Sequence, residues 1–464
     1  MKKDKIKPEL AAGFSDLSDS LLATKKRLIK IIEANYLRYG AQEIELPILE
    51  ISSQIGSYLA EDESNPMADV FEFKNETESL MARYDLTAQM VRNFCSNYRE
   101  LPSIFKNYRI GEVFRQEKAS MSSGRYRQFC QGDFDVLGAT NIAQTDAEIC
   151  NLIADIFLQV LSKNQFKVNI SNLKILKGLI TNDLKITDPK KIQKISRSID
   201  KKSRLGVDAV KNLLGKGNRD SSGAYTDGIN LSNDQIDEII NFLKIKELKD
   251  LKSYLKNPLS IEGINEIEQL LEMASYGDFL DCIEVSTEIQ RGLSYYNSNV
   301  FETTLNVDLK NDKGISVPIG SCASGGRYFF SRFGIDITGS GMSIGISRLA
   351  LLLDQLDKQK KVNNNGPVCI LVLDKKYYSK YFEILKILRD NEINSEIYPG
   401  GDAKLQKQLI YCEKIKAPIA ILCADTEFNE NKISMKFLQK DRSDPSKQIT
   451  IPKEELIKNV QKYI

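Results

Sequence analysis

Three short stretches carry residue types that could do chemistry. The first is QRGLSYYNSNVFE at 290–302, with Arg291, a glycine, and then Tyr295 and Tyr296 ahead of a β-branched and aromatic run. The second, at 104–137, ends in GRYRQFCQGDFDVL, where Arg125, Arg127, Phe129, Gln131, Asp133 and Asp135 alternate with Tyr126, Cys130, Phe134 and Val136. The third is GSGMSIGISR at 339–348, closing on Arg348. Arginine forks onto phosphate and carboxylate oxygens, Phe129 offers a stacking surface, and the acids with Gln131 supply acceptors. Such a set suits a polyanionic ligand. The chain contains no histidine, so imidazole serves here neither as acid or base nor as metal ligand.

Each stretch also has a plainer reading. The 104–137 face could be the solvated side of an antiparallel sheet. The 285–304 run could be a core strand with one edge arginine, and 339–348 a tight glycine turn packed into a core helix. The last is not a Walker loop, because it lacks the Gly-Lys-Ser/Thr ending, and its spacing is not the dinucleotide fingerprint.

The elements that must position these residues follow from periodicity. Apolar positions from Leu21 to Leu37, with Gly40 behind them, predict an amphipathic helix over 17–39. EIELPILE at 43–50 reads as a strand, and 70–73 and 80–86 read as paired strands around a KNETE turn. Two alternating runs around the polar loop 118–124 predict a long hairpin over 104–137, with Arg115 and Glu117 on one face of its first strand. A helix follows at 144–161. Residues 172–277 read as helical and lysine-rich. Eight basic residues lie among 185–204 over a buried side of Ile192, Ile195 and Ile199, which fits a solvated face or an RNA-backbone contact. Strands return at 283–306 and 315–319, a glycine-rich turn is expected at 320–328, and a loop at 339–345 should feed a buried helix. KQKKVNNNG at 358–366 reads as a linker. Beyond it the pattern is βαβαβ, a small α/β domain.

Length and composition bound the rest. A chain of 464 residues exceeds one hydrophobic core and suggests about three domains. Hydrophobic content of 42% with 28% charged residues, and 65 basic against 63 acidic side chains, describes a globular protein of formal charge +2. No global field draws in nucleic acid, so any RNA contact must rest on local patches. The eight cysteines form no Cys-x-x-Cys pair, and neither a zinc site nor a disulfide framework is expected. No run approaches the roughly 18 apolar residues of a membrane span, and no secretion signal is evident. A reduced, cytoplasmic protein that does not enter membranes is expected.

Taken together the motifs are more specific. FRQE…GRYRQFCQGDFD resembles motif 2 of the class II aminoacyl-tRNA synthetases, GMSIGISR with Gly341, Gly345 and Arg348 resembles motif 3, and ELPILE with Pro47 resembles the dimer-interface motif 1. RGLSYYN followed by VFE, SGGRY at 324–328, ARYDLT at 82–87 and the C-terminal tail resemble the histidyl-tRNA synthetase family over almost the whole chain. Two departures stand out. Ser294 occupies a position where the family usually has an acid, and Phe329 follows Tyr328 where an Asp is usual.

The resemblance implies an α+β fold. Its class II antiparallel-sheet catalytic core would comprise 1–171 and 278–357, interrupted by an inserted helical domain at 172–277. A C-terminal α/β anticodon-binding domain would occupy 367–464. It implies activation of L-histidine by ATP with Mg2+, transfer to tRNA(His), and a homodimer. The activation step is in-line attack of a carboxylate, already ionised at pH 7, on the α-phosphate, so cations and positioning suffice without a general base. Arg115 would bridge the α-phosphate and the amino-acid carboxylate, with Arg291 as a second cation there. Glu117 would meet the adenine, Phe129 and Arg348 would sandwich it, and Arg125 would reach the γ-phosphate. Asp85, Thr87 and Gln131 would hold the α-amino end, while Asp135, Tyr295 and Tyr296 would read the imidazole. The resemblance, as read, assigns no particular residue as a ligand to the metal. The alternative is a synthetase-like regulatory subunit of ATP phosphoribosyltransferase, which binds histidine without catalysis.

Overall fold

The computed structural model describes residues 7–464 apart from 56–68, 75–76, 220–224, 278, 291–295, 311–312, 318, 360–365, 402 and 442–443. It forms two compact units, Met1–Asp357 and Lys358–Ile464.

The first unit is built on an eight-stranded sheet. Its strands are β1 (Gln42–Glu43), β2 (Phe105–Phe114), β3 (Gln128–Leu137), β4 (Phe166–Asn172), β5 (Ile283–Val285), β6 (Tyr296–Leu305), β7 (Ser321–Arg332) and β8 (Ile335–Gly345). Their order across the sheet is β1-β2-β3-β8-β7-β6-β4-β5. The six inner strands are antiparallel, and only the outermost pairs, β1 with β2 and β5 with β4, are parallel. The hairpin expected over 104–137 is β2 and β3, in register from Phe105↔Leu137 to Phe114↔Gln128. Alternation then sorts its side chains. Cys130, Phe134 and Val136 enter the main hydrophobic cluster, where Tyr36 packs on Tyr108 and Phe134 with ring centroids 5.4 and 5.6 Å apart.

Helix α1 (Asp19–Arg38) brings Tyr36 to that cluster; it is capped by Ser18 and followed by Gly40 at φ +79°. Helix α2 (Thr87–Asn97) follows the ARYDL segment. Helix α3 (Ile142–Leu158), capped by Asn141, is buried along most of its length. It is tied to β7 by an ion pair inside the core. Asp146 accepts from Arg327 Nη2 at 3.0 Å and from Asn299 Nδ2 at 2.9 Å, with Asp146 0% and Arg327 2% exposed. Residues 172–277 are helical as expected, apart from a short ribbon pairing Gly217–Arg219 with Tyr225–Asp227. Their Ile195, Ile199, Ile239 and Ile264 share one hydrophobic cluster with Phe157 and Phe166 of the sheet region.

Three expectations are corrected. Residues 320–328, expected as a glycine-rich turn, form most of β7 in the middle of the sheet. Their glycines serve close approach: a Cβ on Gly325 would lie 2.1 Å from the Gly341 carbonyl oxygen. Residues 339–345, expected as a loop, are the end of β8, which runs directly into helix α4 (Ile346–Gln359). Residues 43–50 are not one strand. Regular pairing stops after Glu43 and resumes at Leu49–Ile51, in a separate three-stranded sheet with Glu72–Lys74 and Ser79–Ala82. Pro47 has no N–H for a ladder, and the Arg83 guanidinium instead takes the carbonyl of Leu46 at 3.0 Å and that of Glu112 at 2.6 Å.

The second unit is the expected α/β domain. Val368–Ile370 lies between parallel partners Ser395–Ile397 and Ile419–Ile421. Lys432–Phe437 continues the sheet in antiparallel sense, and an unforeseen fifth strand, Gln448–Pro452, completes it. Its core is its own, centred on Tyr381, Leu388, Ile419 and Met435.

Breaking the Asp146–Arg327 pair tests how the first unit is held. Asp146→Ala leaves a buried guanidinium unpaired and should cost about 3–5 kcal/mol in chemical denaturation. The double variant Asp146→Leu with Arg327→Met should recover much of that loss. Equal and additive losses would show that the pair is not the link.

Candidate active site

The open face of the sheet carries a cleft of two joined chambers, both open to solvent. Arg115, Glu117, Arg125, Gln131, Ser324 and Ser343 line both and mark the junction. The smaller chamber continues to Phe129 and Arg348, the larger to Asp85, Thr87, Asp133, Tyr296 and Glu302. Period-two alternation along β3 is what delivers Phe129, Gln131 and Asp133 to one surface.

Backbone carbonyls help to position Arg115 and Arg348. Arg115 lies just past β2, where its N–H bonds to the Arg127 carbonyl at 2.8 Å. Its guanidinium sits 4.4 Å from the Tyr84 ring centroid and 5.1 Å from that of Phe129. Its Nε donates to the Tyr84 carbonyl at 3.1 Å, and Glu117 is 3.9 Å away. Glu117 accepts from the Tyr84 hydroxyl at 2.9 Å. Arg348, in the first turn of α4, donates to the Ser321 carbonyl at 2.6 Å. Gly124, at φ +70° in the hairpin loop, passes over it: a Cβ there would stand 3.3 Å from Arg348 Cγ. Arg127 is spent differently, donating to the backbone carbonyls of Glu117 and Ala12.

The larger chamber holds acceptors. Asp85 caps the start of α2, its Oδ1 accepting from the Ala88 N–H at 3.0 Å, while its buried Oδ2 has no partner. Gln131 Oε1 is likewise buried and unpartnered. Burial raises the Asp85 carboxyl above the usual range. Beneath lies Arg109, 3% exposed, facing two carboxylates on β3. Its Nη2 donates to Asp135 Oδ2 at 2.6 Å and lies 3.6 Å from Asp133. Asp135 Oδ1 accepts from the Tyr328 hydroxyl at 2.6 Å, and Asp133 Oδ1 from the Ser343 hydroxyl. Burial pushes Asp133 up to about 7, against the pull of Arg109.

Of the residues expected to act, Asp85, Thr87, Arg115, Glu117, Arg125, Phe129, Gln131, Tyr296 and Arg348 line the cleft. Asp135 does not line either chamber, and both its oxygens are engaged below. Arg291 and Tyr295 lie outside the described residues. Sequence reasoning passed over Arg109, Ser343 and Tyr328 as site residues. Arg109 was within reach: a hairpin folded about residue 121 pairs it with Asp133, as the register has it. Ser343 and Tyr328 depend on pairings between distant strands.

An antiparallel sheet with arginines and a ring at one end of a cleft, and buried acceptors at the other, agrees with the resemblance to a class II aminoacyl-tRNA synthetase core. Comparison with known proteins narrows this. The histidyl-tRNA synthetase family profile matches residues 13–349, and that of the anticodon binding domain matches 367–463. Histidine–tRNA ligase of Pelagibacter ubique is 50% identical over 469 residues, spanning 100% of both chains. The Bartonella quintana enzyme of that name is 33% identical over 490 residues, covering 99% of this chain and 97% of its own. The crystal structure of histidyl-tRNA synthetase from Nostoc sp. PCC 7120 superposes with a TM-score of 0.74 at 24% identity, over 99% of this chain and 100% of that one. An ATP phosphoribosyltransferase regulatory subunit/histidyl-tRNA synthetase from Bacillus halodurans shares the fold at TM-score 0.67 and 18% identity, over 87% and 96%. The chain belongs to the histidyl-tRNA synthetase family.

The raised Asp133 carboxyl gives a stability signature. Between the ordinary Asp value of about 3.9 and about 7, the native state holds a proton that the unfolded chain has lost. Stability from this group therefore falls as pH rises across that window and is level above it. Asp133→Asn removes the effect. Its stability relative to the parent should rise between pH 5 and pH 8, by at most about 3 kcal/mol, in urea denaturation at the two pH values. A pH-independent difference would remove Asp133 as the titrating group.

Proposed function

We infer that the protein is a histidine–tRNA ligase, activating L-histidine with ATP to histidyl-adenylate and transferring the histidyl group to tRNA(His). The observation that carries this is half-identity along its entire length to a histidine–tRNA ligase, and the cleft chemistry agrees with it. Two anions must be brought together for adenylation, and the junction of the two chambers holds Arg115. In this reading Arg115, with Arg291, steadies the α-phosphate and the amino-acid carboxylate. The smaller chamber takes ATP between Phe129 and Arg348, with Glu117 at the adenine and Arg125 at the γ-phosphate. The larger takes histidine, its ammonium on Asp85, Thr87 and Gln131, its ring beside Tyr295 and Tyr296, with Asp135 buttressing that wall. Mg2+ enters with ATP.

Residues 1–171 and 278–357 then form the catalytic core, 172–277 the inserted helical domain and 367–464 the anticodon-binding domain. A regulatory subunit of ATP phosphoribosyltransferase is less well supported, given the anticodon-binding match at 367–463. No helix among the described residues is long and apolar enough to cross a membrane, and the reading is of a cytoplasmic enzyme.

Pyrophosphate exchange into ATP, run with each of the twenty amino acids and Mg2+ but no tRNA, tests the reading. Exchange should depend on histidine alone, and Arg115→Ala should lower it by roughly 10²–10³-fold. Exchange with a different amino acid would overturn the pocket assignment; histidine binding without exchange would bring back the regulatory reading. The chain should also be a homodimer joined near 43–50, where Ile48, Leu49 and Ile51 are 50%, 46% and 37% exposed, an apolar edge that a two-fold partner would cover. Sedimentation at micromolar concentration should give twice the chain mass, and Leu49→Lys should shift it toward one. A monomeric parent sinks this assignment.

A further inference from the structure

Tyr84 has no role in the motif assignments, yet it lines the larger chamber and meets both Arg115 and Glu117. The backbone on each side of it is tied to a neighbouring element. Before it, the Arg83 carbonyl accepts from the Phe114 N–H at 2.9 Å, and the Arg83 N–H donates to the Ile48 carbonyl at 2.9 Å. The Arg83 guanidinium also holds the carbonyls of Glu112 and Leu46. After it, Asp85 caps α2.

Three contacts leave this one residue. Its carbonyl accepts from Arg115 Nε at 3.1 Å, its ring centroid lies 4.4 Å from the Arg115 guanidinium, and its hydroxyl donates to Glu117 Oε1 at 2.9 Å. That same Oε1 is the oxygen standing 3.9 Å from Arg115 Nη1. A carboxylate this near a guanidinium is drawn into a charge-assisted pair, which would spend the cation on the protein instead of on the ligand. The hydroxyl anchors the carboxylate at the longer distance. The ring and the carbonyl meanwhile hold the guanidinium without cancelling its charge.

We propose that Tyr84 is a positioning residue for adenylation, holding Glu117 off Arg115 so that the cation stays available to the substrates' anionic groups; this rests on the ligase reading and deepens it. Tyr84→Phe keeps the ring and the backbone carbonyl and removes only the hydroxyl. In histidine-dependent pyrophosphate exchange it should lower kcat/KM for ATP roughly tenfold. Tyr84→Leu, which loses the ring as well, should lower it by roughly a further three- to tenfold; Tyr84→Phe carries the test alone if that variant does not fold. The sharper readout is the pair of changes together. Once the hydroxyl is gone, the Glu117 charge is what competes for Arg115, so Tyr84→Phe with Glu117→Gln should show a higher kcat than Tyr84→Phe alone, its KM for ATP remaining raised. A role in packing only would make the two losses multiply. A double variant no faster than Tyr84→Phe, or full activity in Tyr84→Phe, overturns the proposal and leaves the ligase reading in place. A parent enzyme without histidine-dependent exchange overturns that reading itself.

Discussion

One guanidinium inside the sheet sets the terms for the site. Arg109 is buried opposite two carboxylates on the adjacent strand, and it cannot satisfy both equally. Taking such charges out of water is costly unless geometry is close and the remaining lone pairs are filled. Asp135 meets that condition with 2.6 Å bonds to Arg109 and Tyr328; Asp133 does not. The same arrangement dictates backbone elsewhere. A Cβ on Gly341 would lie 1.9 Å from Asp135 Oδ1, and one on Gly339 would lie 2.4 Å from the Tyr328 ring. Gly339 and Gly341 therefore make room for a buried charge and a phenol, whereas Gly345 lines the smaller chamber.

The smaller chamber, the proposed nucleotide end of the cleft, follows another rule. Arg115 is held by a backbone carbonyl and two rings, with the Glu117 carboxylate only at 3.9 Å, so neutral partners supply its closest contacts. Arg348 is anchored through a carbonyl in the same way. Preorganised cations in a partly water-excluded cleft stabilise developing charge without reorganising at the moment of reaction. Carboxylate attack on a phosphate needs no proton removed from the nucleophile, and a chain without histidine loses nothing by it.

Much of this was legible in the sequence because it is local. Strict alternation from Arg125 to Asp135 places Phe129, Gln131 and Asp133 on one face, and the Leu21–Leu37 spacing specifies α1. What was misread depends on neighbours that sequence periodicity does not see. Glycines at 325, 326, 339 and 341 suggest turns when read singly, yet they sit mid-strand where facing backbones and side chains crowd them. ELPILE has strand-forming residues but loses its ladder at Pro47, and Arg83 takes over two of the local carbonyls. Asp135 lies on the face expected of a ligand contact, and the distant Tyr328, arriving through β7, shares its carboxylate with Arg109. The fifth strand at Gln448–Pro452 is short and lies at a sheet edge, where alternation is weakest.

The two ends of the cleft thus differ in what the protein leaves unfinished. At the nucleotide end the side chains are already bonded into place, which favours fast and repeatable binding of a flexible polyanion. At the proposed amino-acid end Asp85 Oδ2 and Gln131 Oε1 are buried without partners, a state that costs the free enzyme on the order of 1–3 kcal/mol per group. A ligand that supplies N–H donors relieves that cost, and one that lacks them leaves it standing. Discrimination then comes from the penalty on the wrong ligand as much as from contacts with the right one. Because such a ligand binds only the folded chain, the same groups that weaken the empty enzyme tie its stability to the presence of the amino acid.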